Sequence, residues 1–200
     1  MYPTLLDTVT TRADARFRAA EQIGAVLFVT TLTAIAAQIS IPLPFTPVPF
    51  TFQPMVVLLG AAALGPRLGM ASQILYLALG VAGMPVFAAS PVLPQGAARL
   101  LGPTGGYLMA YPFAAFAAGW LARRGFDRRY FTAVLAMICG LAVVFAGGVL
   151  WLTIASKPSI GLAGALATGF VPFIVPDLLK LLAAAAVMPG LWRITGPASR

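Results

Sequence analysis

The 200-residue sequence has no histidine, one cysteine and five acidic residues, and only 9% of its residues are charged. Each shortage excludes something. Without histidine, the commonest metal ligand and the usual general base near neutral pH are missing. A single cysteine excludes an intramolecular disulfide, and Cys139, inside the apolar run 137–141, reads as a small packed hydrophobe. The few acids are scattered, and no nucleophile–base or metal-binding constellation exists, so an enzyme is not expected and no cofactor is implied. The scarcity of charge excludes most. A soluble domain carries about 25% charged residues, whereas 60% of this chain is hydrophobic, in long blocks. Most of its outer surface therefore faces lipid.

What is present fits that solvent. Apolar spans are expected at 23–39, 54–64, 68–86, 104–122, 131–154 and 160–188, the second short and the last interrupted by Pro172, Pro176, Asp177 and Lys180. The net charge of +8 does not indicate nucleic acid, because the basic residues flank the spans. With six crossings, one side holds Arg12, Arg16, Arg18, Arg67, Arg123, Arg124, Arg128, Arg129, Arg193 and Arg200, and the other only Arg99 and Lys157. By the positive-inside bias both termini are cytoplasmic. The expected fold is all-α integral membrane, one domain over 1–200: a cytoplasmic N-terminal segment 1–22, a bundle 23–188 and a cytoplasmic tail 189–200. Segment 1–22 contains Asp7, Asp14 and Glu21 and lacks signal-peptide features, so it is expected to stay attached. Arg12, Arg16 and Arg18 read as a short interfacial helix on anionic lipid or as a frayed tail.

Two outside loops are unusual. The stretch SIPLPFTPVPFTFQP at 40–54 has five prolines and no charge, which forbids helix and favours a stiff extended flap. The stretch 84–103 carries Pro85, Pro91, Pro94 and Gly102-Pro103, with Arg99 as its only charge, placed to meet an anionic ligand or to act as an orientation charge. Within the last span, Asp177 and Lys180 share a helix face at i,i+3. An ionisable group at mid-bilayer costs roughly 2.5–3.5 kcal/mol on insertion scales, so the pair is either a structural ion pair or the polar end of a ligand site. Pro176 is placed as first residue of the helical part, with Asp177 in its first turn. Gln38, Gln53, Gln73 and Thr51 read as helix–helix glue, Gln53 being the best ligand candidate among them. The run Leu101-Gly102-Pro103-Thr104-Gly105-Gly106-Tyr107 lacks the lysine of a P-loop. Tyr107 and Tyr111 are one turn apart, as interfacial anchors or as stacking partners of a ligand.

On IPLPFTPVPFTFQ (41–53), LLGAAALGPRLG (58–69), YLALGVAGMPVFA (76–88), LLGPTGGYLMAYPFAAFAAGWL (100–121) and PFIVPDLLK (172–180), the chain resembles the BioY family. These are the biotin-binding S components, or substrate-capture subunits, of energy-coupling-factor (ECF) transporters. The family pattern P-G-D-x-x-K departs here to Val175-Pro176-Asp177, with Asp177 and Lys180 keeping their spacing. The resemblance implies the six-helix S-component fold, with an outside-facing site under the loops after the first and third spans. It implies biotin as transported substrate, a transmembrane coupling subunit and two ATPase subunits as partners, and a docking face on the first helix, where Thr30-Ala34 and Thr33-Ala37 fit loosely. Another small vitamin on the same fold, or transport by the chain alone, stays open. Biotin's ureido ring suits Asp177 and Lys180 or Gln53, its apolar parts suit Phe45, Phe50, Phe52 and Tyr107, and its carboxylate suits Arg99, Lys180 or backbone N–H groups.

The topology is testable. A cysteine replacing Asp127 should be shielded from impermeant thiol reagents added outside intact cells, and one replacing Pro47 should react. The reverse pattern would invert the orientation.

Overall fold

The computed structural model describes residues 2–9, 15–90, 93–156 and 159–195. A short helix α1 (Leu5–Val9) is closed by reciprocal bonds, Thr4 N to Asp7 Oδ2 at 2.9 Å and Asp7 N to Thr4 Oγ1 at 3.2 Å. Helix α2 (Ala15–Gln38) follows. It starts ahead of the expected span and takes in Arg16 and Arg18, which belong to its first turns rather than to a separate interfacial helix. Arg12, Lys157 and Arg200 lie outside the described residues. Next comes an antiparallel ribbon, β1 (Ser40–Ile41) and β2 (Phe50–Thr51), with Ser40 opposite Thr51 and Ile41 opposite Phe50. Helices α3 (Gln53–Leu64), α4 (Pro66–Val81), the single turn α5 (Ala98–Leu101), α6 (Gly105–Ala122) and α7 (Tyr130–Ala155) come after it. The chain ends in α8 (Gly161–Gly169), α9 (Val171–Ala185) and α10 (Val187–Thr195).

The helices cross as six passages: α2, α3, α4, α6, α7 and the broken α8–α9. Arg16–Gln38, Tyr130–Ala155 and the joined Gly161–Thr195 are each long and apolar enough to traverse a membrane. The 12-residue α3 rises only ~18 Å at 1.5 Å per residue, against a hydrocarbon core of about 30 Å. Helices α3 and α4 join through Gly65 alone, whose φ of +83° suits glycine, with Pro66 opening the next helix.

Burial is inverted relative to a soluble protein. Phe131, Ile154 and Ile194 are about four-fifths exposed, while Thr33, Ser72 and Gln73 are fully buried. Polar groups turn inward because lipid offers no hydrogen bonds. Thr30 Oγ1 donates to Ser72 O at 2.9 Å and Gln73 Nε2 to Thr33 Oγ1 at 3.3 Å, joining α2 to α4. Thr30, Thr33 and Ala37 are therefore buried inside the bundle, so the face expected to receive a partner is covered by α4. Cys139 is exposed rather than packed, because a uniformly apolar span does not reveal which face turns outward.

The last span breaks elsewhere than expected. The interruption is at Phe170, and Pro172, not Pro176, stands at the start of α9. Pro176 lies inside the helix, so Asp177 is mid-helix and receives little from the helix dipole, which fades beyond the first turn. The tail is also structured. Trp192 of α10 donates Nε1–H to Asp127 Oδ2 at 2.6 Å, and Arg128 covers the Trp192 ring at 4.2 Å and the Tyr2 ring at 4.8 Å. Asp127, only 3% exposed, sits in a 3-10 turn, Phe126–Arg128. Burial raises its carboxyl above the ordinary range, opposed by the indole bond. A cysteine there would be hidden on either side of the membrane, so exposed Arg129 is the better probe of that end.

Removing the indole donor takes from a buried carboxylate its side-chain hydrogen bond. Trp192→Phe should lower stability by about 1–3 kcal/mol, read as a fall in melting temperature in detergent. Asp127→Asn keeps an acceptor for the indole without the buried charge and should melt at or above the wild-type temperature.

Candidate ligand-binding site

Between the ribbon, α3, α6, α7 and α9 lies a cavity whose empty space, open mouth included, is about 570 Å³. Its walls are mainly apolar: Val48 and Pro49 from the ribbon loop, Pro54, Leu108, Val144, Phe145 and Phe173. Thr51, Gln53, Arg99, Thr104, Tyr107, Tyr111 and Asp177 add polar groups.

At one end, α9 is bolted to the ribbon. Lys180 Nζ lies 2.5 Å from Asp177 Oδ1 and donates to Thr51 O at 2.6 Å. Its ammonium also covers Phe50 at 4.0 Å and Phe52 at 5.6 Å from the ring centres. The contact with Asp177 is close but poorly aligned as a hydrogen bond, so it counts as an ion pair and leaves that oxygen with acceptor capacity. Lys180, by contrast, has a counter-charge beside it, and a carbonyl and two rings also surround its ammonium.

Arg99, in α5 and only 1% exposed, also lines the cavity. Its Nη2 donates to Ala88 O at 2.7 Å and its Nη1 to Leu93 O and Pro94 O, each at 3.3 Å. All these partners are carbonyls, so the guanidinium is held in place without being neutralised. Among the described residues its Nε has no partner, and neither has the hydroxyl of Thr104, which also lines the wall. Burial lowers the Arg99 guanidinium from its ordinary range, which the neighbouring Tyr76 hydroxyl opposes; an arginine stays charged all the same.

The loop 85–88 is fastened residue by residue. Gln38 Nε2 donates to Pro85 O and Phe87 O, each at 3.3 Å, Tyr76 Oη to Val86 O at 3.0 Å, and Arg99 to Ala88 O. Phe87 is fully buried, its ring 5.6 Å from that of Tyr76 in an edge arrangement. A side chain at Gly80 would strike that ring.

Of the residues read from the sequence as ligand contacts, Gln53, Arg99, Tyr107 and Asp177 come together on the cavity wall. Tyr107 offers its ring, since its hydroxyl donates to Gly169 O at 2.7 Å. It is buried with Tyr111, so neither is an interfacial anchor. Lys180 and Phe52 stand behind the wall at the ribbon junction, and Phe45 is 61% exposed at the ribbon tip, away from the cavity. Sequence reasoning missed Thr104, Val144, Phe145 and Phe173. Val144 and Phe145 sit in a uniformly apolar span where no pattern marks the inward face, whereas Phe173 stands one turn before Asp177 on the same face, a signal that was not used. Tyr76 was missed although it carried a signal, a hydroxyl inside an apolar span.

An apolar-surfaced helix bundle that encloses a cavity under proline-rich loops is the architecture of a membrane protein that holds a small molecule. Residues 9–196 match the model of the BioY family. A relative named as a probable biotin transporter BioY, from Pyrococcus horikoshii, is 41% identical over 169 residues, covering 84% of this chain and 93% of the relative. The biotin transporter BioY of Thermotoga maritima is 39% identical over 158 residues, covering 79% and 88%. A 2.1 Å crystal structure of the S-component for biotin from an ECF-type ABC transporter superposes with a TM-score of 0.79 at 28% identity, over 90% of this chain and 95% of that one. The chain belongs to the BioY family.

Breaking the junction from one side should be worse than removing it. Lys180→Met leaves a buried carboxylate without its counter-charge, at a cost of about 3–5 kcal/mol. The double variant Asp177→Asn/Lys180→Met should melt above Lys180→Met alone. A double variant that melts lower would mean the two charges are not coupled.

Proposed function

We propose that this chain captures biotin from outside the cell and is the substrate-specific S component of an ECF-type transporter, with a transmembrane coupling subunit and two ATPases as its partners. No chemical reaction is part of this role. The chain would form one membrane domain in a bacterial cytoplasmic membrane, with both termini inside; the arginine asymmetry supports that orientation.

The observation that carries the reading is the unneutralised guanidinium of Arg99 on an otherwise apolar wall that also holds Asp177. Biotin has the matching layout: a cyclic urea with two N–H donors, an apolar bicycle and chain, and a terminal carboxylate. Asp177 already offsets the charge of Lys180, which does not line this cavity, so the carboxylate falls to Arg99 Nε and the Thr104 hydroxyl, both on the wall and without a partner among the described residues. Asp177 then takes urea N–H groups, and Tyr107, Phe145 and Phe173 flank the apolar parts. A neutral ligand would leave the Arg99 charge buried and uncompensated, which low-polarity surroundings penalise.

Equilibrium binding to the purified chain in detergent tests this directly, and no binding at micromolar biotin would overturn it. Arg99→Gln should weaken biotin by about 10- to 100-fold, the loss of a charge-assisted contact, and should change binding of biotin methyl ester little. An equal loss for acid and ester would place the carboxylate elsewhere.

A further inference from the structure

We propose that Tyr76, which does not line the cavity, dictates which end of the Gln53 amide the cavity sees, and so makes the site select a ligand with an N–H donor at that point. The inference rests on the biotin reading above and extends it to a residue outside the contact shell. A tyrosine hydroxyl has one hydrogen and can accept others. The Tyr76 hydroxyl donates that hydrogen to Val86 O at 3.0 Å, because a carbonyl can only accept. Its second neighbour, Gln53 at 2.6 Å, must therefore donate to it, which assigns the amide nitrogen of Gln53 to Tyr76. The carbonyl oxygen of that amide is left for the cavity that Gln53 lines.

Tyr76 is not free to reverse this. Val86 cannot retreat, since the carbonyls on either side of it are held by Gln38 and the next one by Arg99. The Tyr76 ring is fully buried against Phe87. Gln53 is 3% exposed, so an amide turned the wrong way would find no water to satisfy it. The site thus presents two acceptors, Gln53 Oε1 and Asp177, toward a ring with two N–H donors. A ring atom with a lone pair in place of one N–H would meet the Gln53 oxygen with like polarity.

Tyr76 is a positioning residue, and the test separates that from a packing role. Tyr76→Phe keeps the ring and removes the hydroxyl, freeing the Gln53 amide to turn. It should bind biotin about tenfold more weakly. In a Gln53→Ala background the same substitution should change affinity less than twofold, because the two residues act through one contact. Biotin analogues in which one ring N–H or the other is replaced by oxygen give a second readout. The wild type should disfavour the worse of the two by at least tenfold relative to biotin, and Tyr76→Phe should narrow that ratio at least fivefold. A tenfold loss that persists in the Gln53→Ala background would overturn the proposal, as would wild-type protein that binds biotin and both analogues alike, whether or not Tyr76→Phe folds. Absence of biotin binding to the wild type would instead sink the biotin reading itself.

Discussion

Proline-rich backbone surrounded by apolar matter runs short of hydrogen-bond donors. Each proline removes an N–H and keeps a carbonyl, and the chain has 17 of them, five in the stretch 40–54 alone. Lipid cannot make good the deficit. The structure answers with side-chain donors placed under the loops: Gln38, Tyr76, Arg99, Trp151 and Lys180 each donate to a loop or ribbon carbonyl. These bonds hold non-helical backbone at the bundle end with little regular structure to support it. Among the described residues the only strand pairing is the two-residue ribbon.

The same economy shapes the cavity. A donor that fastens a loop by gripping carbonyls keeps its charge, because carbonyls are dipoles and do not cancel a full charge. Arg99 is that case, and it leaves one end of the cavity electropositive with Nε free. Lys180 is the opposite case, since Asp177 cancels its charge while Thr51 ties it to the ribbon. Two cations that look alike in the sequence thus divide into one whose charge is paired and one whose charge is not. Tyr76 belongs to the same framework: its bond to Val86 fastens the loop and, through Gln53, orients a group on the wall.

Outside the site, the apolar periphery and the opposite end follow simpler rules. The helices turn aliphatic and phenyl groups outward and keep threonines and glutamines between them. At the far end, α1, α10 and the turn at Asp127 are joined by Trp192 and Arg128, so the arginine-rich region is partly a packed layer rather than loose chain.

Read alone, the sequence determined the solvent, the six passages and the presence of an ionisable pair in the last one, because hydrophobicity, charge scarcity and i,i+3 spacing are local properties. It also marked the two proline-rich loops, and Gln53, Arg99, Tyr107 and Asp177 as residues that required explanation. It did not disclose which faces turn inward. Spans that are apolar all round carry no periodic signal, which is why Cys139 came out exposed and why Phe145 was not anticipated. It placed the break at Pro176, whereas packing tolerates that proline inside α9 and starts the helix at Pro172. Only the tertiary structure decided that Lys180 has a counter-charge and that Arg99 has carbonyls alone. That difference depends on what stands within 3 Å of each nitrogen, and residues up to 129 positions away in the chain supply it.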